Sequence, residues 1–177
     1  LGGPHRGRVA SGDGRWVVTS SNLETTLYSA DGREVRRFRG TRAVLSPGEG
    51  KFIAYSPGRG ALNVDVAETG KRHAKLTING ASWVRQIAYS PDGRYLGAVT
   101  RDGQFAVWGV NRGAKEGEQF ELKMRDDSLA VGMAIAFSPS GSLVAIVGRE
   151  TGADAETRDG RIALFDLKTG DSPRIIE

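Results

Sequence analysis

The sequence contains no cysteine. A disulfide framework and a thiolate metal site are therefore both excluded. Histidine is nearly absent as well: His5 lies beside the N-terminus and His73 in a polar stretch. No Gly-x-Ser-x-Gly elbow, His-Glu-x-x-His pair or phosphate-binding loop is present, so the usual signatures of nucleophilic, zinc and nucleotide chemistry are missing. Gly12-Asp13-Gly14 and Gly58-Arg59-Gly60 read as turn glycines, since no helix pattern follows them. No apolar run approaches the roughly 20 residues that a membrane-spanning helix needs. The first residues, Leu1-Gly2-Gly3-Pro4-His5-Arg6, lack the apolar middle of a signal peptide. The chain does not open on Met and is expected to be a processed product or a piece of something longer. No cofactor is expected, and a cytoplasmic location suits the lack of cysteine.

What is abundant is glycine, 25 residues in a chain of 177 that is 38% hydrophobic. Many glycines beside few long apolar runs favour short elements joined by tight turns, in a chain long enough to bury a core. The net charge is +4, and arginine supplies most of the 25 basic residues. A nucleic-acid binder would gather that charge into a patch or tail. Here it is spread along the chain and interleaved with 21 acidic residues, which argues against nucleic acid as the partner.

One phrase recurs: a small polar pair, a glycine turn, then a short apolar run. It appears as Ser11-Gly12-Asp13-Gly14, Ser46-Pro47-Gly48-Glu49-Gly50, Ser90-Pro91-Asp92-Gly93 and Ser138-Pro139-Ser140-Gly141. The closing glycines are 36, 43 and 48 residues apart. Before the last three turns lie Arg42–Leu45, Gln86–Tyr89 and Ala134–Phe137; after the four come Trp16–Val18, Phe52–Tyr55, Tyr95–Val99 and Leu143–Val147. Short runs rich in β-branched and aromatic residues and bounded by turn residues predict strands. A third strand is predicted at Thr25–Tyr28, Leu62–Val66, Phe105–Trp108 and Ile162–Leu167. From the turn glycine to Tyr28, Val64, Trp108 and Phe165 takes 14, 14, 15 and 24 positions, so the last unit carries an insertion. A fourth, more polar strand follows at Val35–Phe38, His73–Leu76, Gln119–Leu122 and Arg174–Ile176, its charge suited to an outer edge.

The stretch Gln86 to Leu96, with Arg101-Asp102-Gly103 and Val107-Trp108-Gly109, resembles a WD40 repeat. So does Ala134 to Gly141 with Asp159-Gly160 and Leu164-Phe165-Asp166-Leu167. The resemblance implies an all-β fold: a β-propeller of WD40-like four-stranded antiparallel blades, at residues 1–39, 40–79, 80–125 and 126–177. Rings of such blades usually hold about seven, so four form part of a larger ring, completed by the parent chain or another subunit. In that family a Trp, a Ser or Thr, an Asp and a His form a hydrogen-bonded set. The third blade offers Trp108, Thr100 and Asp102, but the Gly-His pair is missing. Only the second half of the Trp-Asp pair survives, as Asp65 and Asp166.

The family likeness also implies a non-catalytic interaction scaffold that binds proteins or peptides on the rim made by the second-to-third-strand turns and the blade connections. Arg42, Arg59, Arg85, Arg101, Arg149 and Arg158 fall there. They are read either as a mouth for an acidic or phosphorylated segment, or as solvated loop charge. The insertion Arg149–Asp159 lies on the same rim, where Asp154, Glu156 and Asp159 are read as calcium ligands or as a solvated loop. Two other functions stay open: the propeller domain of a hydrolase or peptidase, and an RNA-associated subunit of a ribonucleoprotein. No membrane partner is expected.

Overall fold

Alternation of apolar and polar residues between glycine turns leaves the backbone one economical way to satisfy its hydrogen bonds, the antiparallel meander. The computed structural model describes residues 7–21, 23–111, 119–126, 131–149, 160–170 and 173–176. Among them there is no helix; sixteen strands form four four-stranded antiparallel sheets. The first blade is β1 (Gly7–Ala10), β2 (Trp16–Ser20), β3 (Glu24–Ser29) and β4 (Glu34–Arg39). The second is β5 (Thr41–Leu45), β6 (Phe52–Gly58), β7 (Ala61–Val66) and β8 (Arg72–Thr77). The third is β9 (Val84–Tyr89), β10 (Tyr95–Thr100), β11 (Phe105–Asn111) and β12 (Gln119–Asp126). The fourth is β13 (Val131–Phe137), β14 (Leu143–Arg149), β15 (Gly160–Asp166) and β16 (Arg174–Ile176). In every sheet the strands pair in sequence order.

The predicted second, third and fourth strands are all present, with ends that coincide or shift by at most four residues. A strand absent from the sequence reading is β1, whose residues Gly7-Arg8-Val9-Ala10 carry little apolar signal; it forms because β2 offers a paired edge, with Val9 opposite Val18. The expected all-β architecture of four-stranded antiparallel blades is therefore present.

The chain divides into two compact units, Leu1–Thr77 and Ile78–Glu177, each holding two blades. In the first, Val18, Leu27 and Phe38 of one blade pack with Ala43, Leu45, Ile53 and Tyr55 of the next. The Phe38 and Tyr55 rings are tilted, with centroids 5.3 Å apart. In the second, Val99, Phe105 and Val107 pack with Ile135, Val144, Ile146, Ala163 and Phe165, and the Phe105 and Phe165 rings meet at 4.9 Å. The core of each unit is therefore the face between its two blades, as stacked repeats require. Glycine permits the close approach. A Cβ on Gly132 of β13 would run into the Thr100 carbonyl, and one on Gly40 would lie 2.6 Å from the Ser56 carbonyl oxygen.

Candidate functional site

Strand order dictates what the two ends of each blade carry. The first-to-second and third-to-fourth strand turns lie at one end. At the other, rim, end lie the start of the first strand, the second-to-third-strand turn and the end of the fourth strand. Arg42 of β5 and Arg59 of the β6–β7 turn share the rim end of the second blade. Arg85 of β9 and Arg101 of the β10–β11 turn share that of the third, and Arg149 closes β14 at that of the fourth. Arg158 and the acids Asp154, Glu156 and Asp159 lie outside the described residues. The first two arginines belong to one unit, and Arg85, Arg101 and Arg149 to the other.

A bulge in the first strand sits at this end in three blades. Register slips between Thr41 and Val44, between Val84 and Gln86 (opposite the Thr100/Val99 step), and between Gly132 and Ala134. Bulges bend the strand and re-aim side chains. Arg42 lies in the first of these with φ of 60°, a left-handed conformation that costs a non-glycine residue on the order of 1 kcal/mol. Arg85 is the extra residue of the second. Arg59, Arg85 and Arg101 are exposed; Arg42 and Arg149 are half-buried.

The rim end of the third blade is the best-defined of these. Thr100, fully buried, donates its hydroxyl to Asp102 Oδ1. Asp102 Oδ2 accepts from the Ser82 backbone amide at 2.9 Å, and the Asp102 amide donates to Ser82 Oγ at 3.2 Å. The Arg101 amide donates to the Trp83 carbonyl at 3.0 Å. Three bonds thus lock the β10–β11 turn to the segment leading into β9. Partial burial alone would raise the Asp102 pKa; hydrogen bonds from Thr100 and Ser82 outweigh it and hold the carboxyl below the usual range. The acid of the turn is therefore consumed inward, while Arg85 and Arg101 point out with no ion-pair partner among the described residues.

Sequence reasoning found Thr100, Asp102 and the arginines, but missed Ser82 and Trp83. Ser82 bonds Asp102 through both its amide and its hydroxyl. It lies 20 residues from Asp102, and only the bulged register of β9 on β10 brings the two together. Trp83 is 53% exposed. Its signal was present, a large aromatic next to buried Val84, but an alternation of two residues is too short to read alone. Trp108 is buried, 4% exposed, opposite Leu96.

The first two blades carry other buried hydrogen-bond networks. In the first, Ser20 and Thr25 share a hydrogen bond of 3.0 Å; Thr25 donates to the Gly40 carbonyl at 2.9 Å, and the Ala43 amide donates to Ser20 Oγ at 3.3 Å. In the second, the surviving Asp65 is buried; its Oδ2 accepts from the Tyr55 hydroxyl at 2.8 Å and its Oδ1 from Arg72 Nε. Arg72 also donates to Asn63 Oδ1 at 2.9 Å. Burial, with the bond to Asp65, raises the Tyr55 pKa. This network spans three strands inside one blade, with Tyr55 and Asp65 buried and Arg72 at the surface. His73 stacks at 4.6 Å on Phe52. Among the described residues no group of three or more His, Asp or Glu is placed to hold a metal ion.

With this geometry in place, comparison with known proteins is informative. The WD40 family model (WD domain, G-beta repeat) matches residues 72–109, which run from β8 through β11. Over 162 residues the chain is 24% identical to the WD repeat-containing protein SL1-17 of Schistosoma mansoni, covering 87% of this chain and 48% of that protein. Among solved structures it superposes on Kuenenia stuttgartiensis hydrazine synthase with a TM-score of 0.68 at 13% identity, covering 95% of this chain and 52% of that one. That likeness bears on the fold alone. In both cases the chain spans close to half of the protein it matches.

Proposed function

Starting from a chain of WD40-repeat blades, we propose that this one is a non-catalytic scaffold whose blade rims bind an acidic protein segment. WD40 repeats in general serve protein interaction rather than catalysis, and that coarser statement needs nothing from this chain beyond its family. The finer reading, the acidic partner, rests on one observation. Arg85 and Arg101 are exposed at a single blade end and form no ion pair among the described residues, while the acid of their turn, Asp102, is already bonded to Thr100 and Ser82. Such a pair of guanidinium groups favours a carboxylate or phosphate partner through bidentate hydrogen bonds. Arg42 and Arg59 share the corresponding end of the second blade.

The test is binding of the full chain to an array of acidic, phosphorylated, neutral and basic peptides. The double substitution Arg85→Glu and Arg101→Glu is expected to abolish retention of the acidic and phosphorylated members. Retention by the wild type is expected to fall steeply as salt rises. Equal retention by the two proteins ends this reading. A generic RNA added to the same array favours the ribonucleoprotein alternative if it binds with a steep salt slope and is lost on the same substitutions.

A further inference from the structure

Trp83 is the largest of the exposed apolar side chains described in the second unit, which also include Leu143, Ile175 and Ile176. Val84 is buried at 4% exposure, and successive residues of a strand point to opposite sides. The two chain neighbours of Val84, Trp83 and Arg85, are both exposed. Arg101, also exposed, lies on the adjoining turn, its amide bonded to the Trp83 carbonyl at 3.0 Å. Ser82 and Asp102 fix the backbone on the near side of Trp83 through their reciprocal bonds of 2.9 and 3.2 Å. The indole thus stands on a backbone fixed by three hydrogen bonds, at the blade end that also carries Arg85 and Arg101.

Tryptophan and arginine are the residues most enriched among those that carry binding energy, and a pre-organised backbone lowers the entropic cost of using them. We propose that Trp83 is the anchoring residue of this rim. It takes a branched apolar or aromatic side chain of a partner segment whose flanking carboxylates engage Arg85 and Arg101. The recognised chemistry is a short acidic segment with one central apolar residue. This inference rests on the rim reading above and narrows it: charge alone would accept any acidic peptide, whereas an indole selects among them.

The probe is a phage-displayed library of random twelve-residue peptides, selected on the full wild-type chain and in parallel on Trp83→Ser, Trp83→Phe and the double arginine variant. Because Trp83 is exposed, its replacement is expected to leave the fold intact, which circular dichroism checks. The expected result is enrichment of an apolar residue between Asp or Glu residues on the wild type. The selected peptide is expected to bind Trp83→Ser at least about tenfold more weakly, with most affinity restored by Trp83→Phe. Acidic peptides enriched without any apolar preference, or bound equally by Trp83→Ser, overturn this inference and leave the rim reading standing. No acidic enrichment at all, or enrichment indifferent to the arginine variant, overturns both.

Discussion

At the scale of single residues, the carboxylates of the turns carry the most definite consequences. Asp102 holds the second-to-third-strand turn of its blade to the chain entering that blade. Asp102→Ala removes the acceptor for the buried Thr100 hydroxyl and the Ser82 amide, and is expected to lower stability by about 1–3 kcal/mol in a denaturant titration. The acid behaviour follows from the same bonds. Asp13 is held down at about 2 by the Ser11 hydroxyl first and then by the Arg15 amide. For Asp92 burial works upward, but the Arg94 amide and Ser90 hydroxyl prevail and lower it; Asp102 is lowered likewise. Carboxyls whose folded pKa is depressed add stability that is complete above their unfolded value and fades as pH falls through the folded one. The fold is therefore expected to weaken as pH drops below the ordinary Asp value of 3.8 toward the depressed value of about 2. Unfolding midpoints measured from pH 5 to pH 2 check this, and Asp13→Asn is expected to flatten the acid limb. Thr100 and Asp102 were legible in the sequence because they are two residues apart. Their partner Ser82 was not, because its position depends on how one strand bulges against another.

At the scale of elements, the recurring turn doubles as a clamp between blades. In the first blade Ser11 donates to Asp13 Oδ1 at 2.7 Å, Arg15 Nε pairs with Asp13 Oδ2 at 2.5 Å, and Arg15 Nη2 reaches the Glu49 carbonyl of the next blade at 3.5 Å. The third blade repeats it: Ser90 to Asp92 at 2.7 Å, Arg94 Nε to Asp92 at 2.5 Å, and Arg94 Nη2 to the Ser140 carbonyl at 3.2 Å. The corresponding turns of the second and fourth blades, Ser46 to Lys51 and Ser138 to Ser142, have no Asp–Arg pair. One clamp thus lies inside each compact unit. Exposed ion pairs contribute little, so Arg94→Ala is expected to cost under about 1 kcal/mol. Its signature is locality: amide exchange should quicken in β10 and β13 and stay unchanged in β2 and β5, with Arg15→Ala giving the reverse pattern. Closeness matters more than charge at Gly40, where a methyl group would meet the Ser56 carbonyl oxygen at 2.6 Å. Gly40→Ala is expected to destabilise by about 1–3 kcal/mol, read from a shifted denaturation midpoint. The clamp turns were visible as a repeated phrase, but nothing in that phrase says that its arginine reaches another blade.

For the whole molecule, the remaining issue is what covers the outer side of the last blade. Phe165, Ala163, Val144 and Ile146 face the core shared with the third blade. By alternation Ala145, Val147, Ile162 and Leu164 face the other way, and they are only half-buried. Stacked blades ordinarily bury both faces. We propose that further blades, from the parent chain or another subunit, complete the assembly, a reading supported by a chain that spans 48% of its WD repeat-containing relative. The isolated 177-residue chain is then expected to associate in solution. Light scattering that finds a well-behaved monomer without a partner contradicts this.

The sequence by itself determined the blades: glycine turns at a near-constant period and short alternating runs allow little except four-stranded meanders, because both signals act over a few neighbouring residues. It also named the arginines, since strand order alone decides which end of a blade a turn occupies. Only the tertiary structure decided that Asp102 turns inward to Ser82, that Asp65 is buried against Tyr55 and Arg72, and that Trp83 is exposed with its carbonyl bonded to the Arg101 amide. Each of these depends on strand register and on bulges, where a shift of one residue exchanges the buried side for the exposed one.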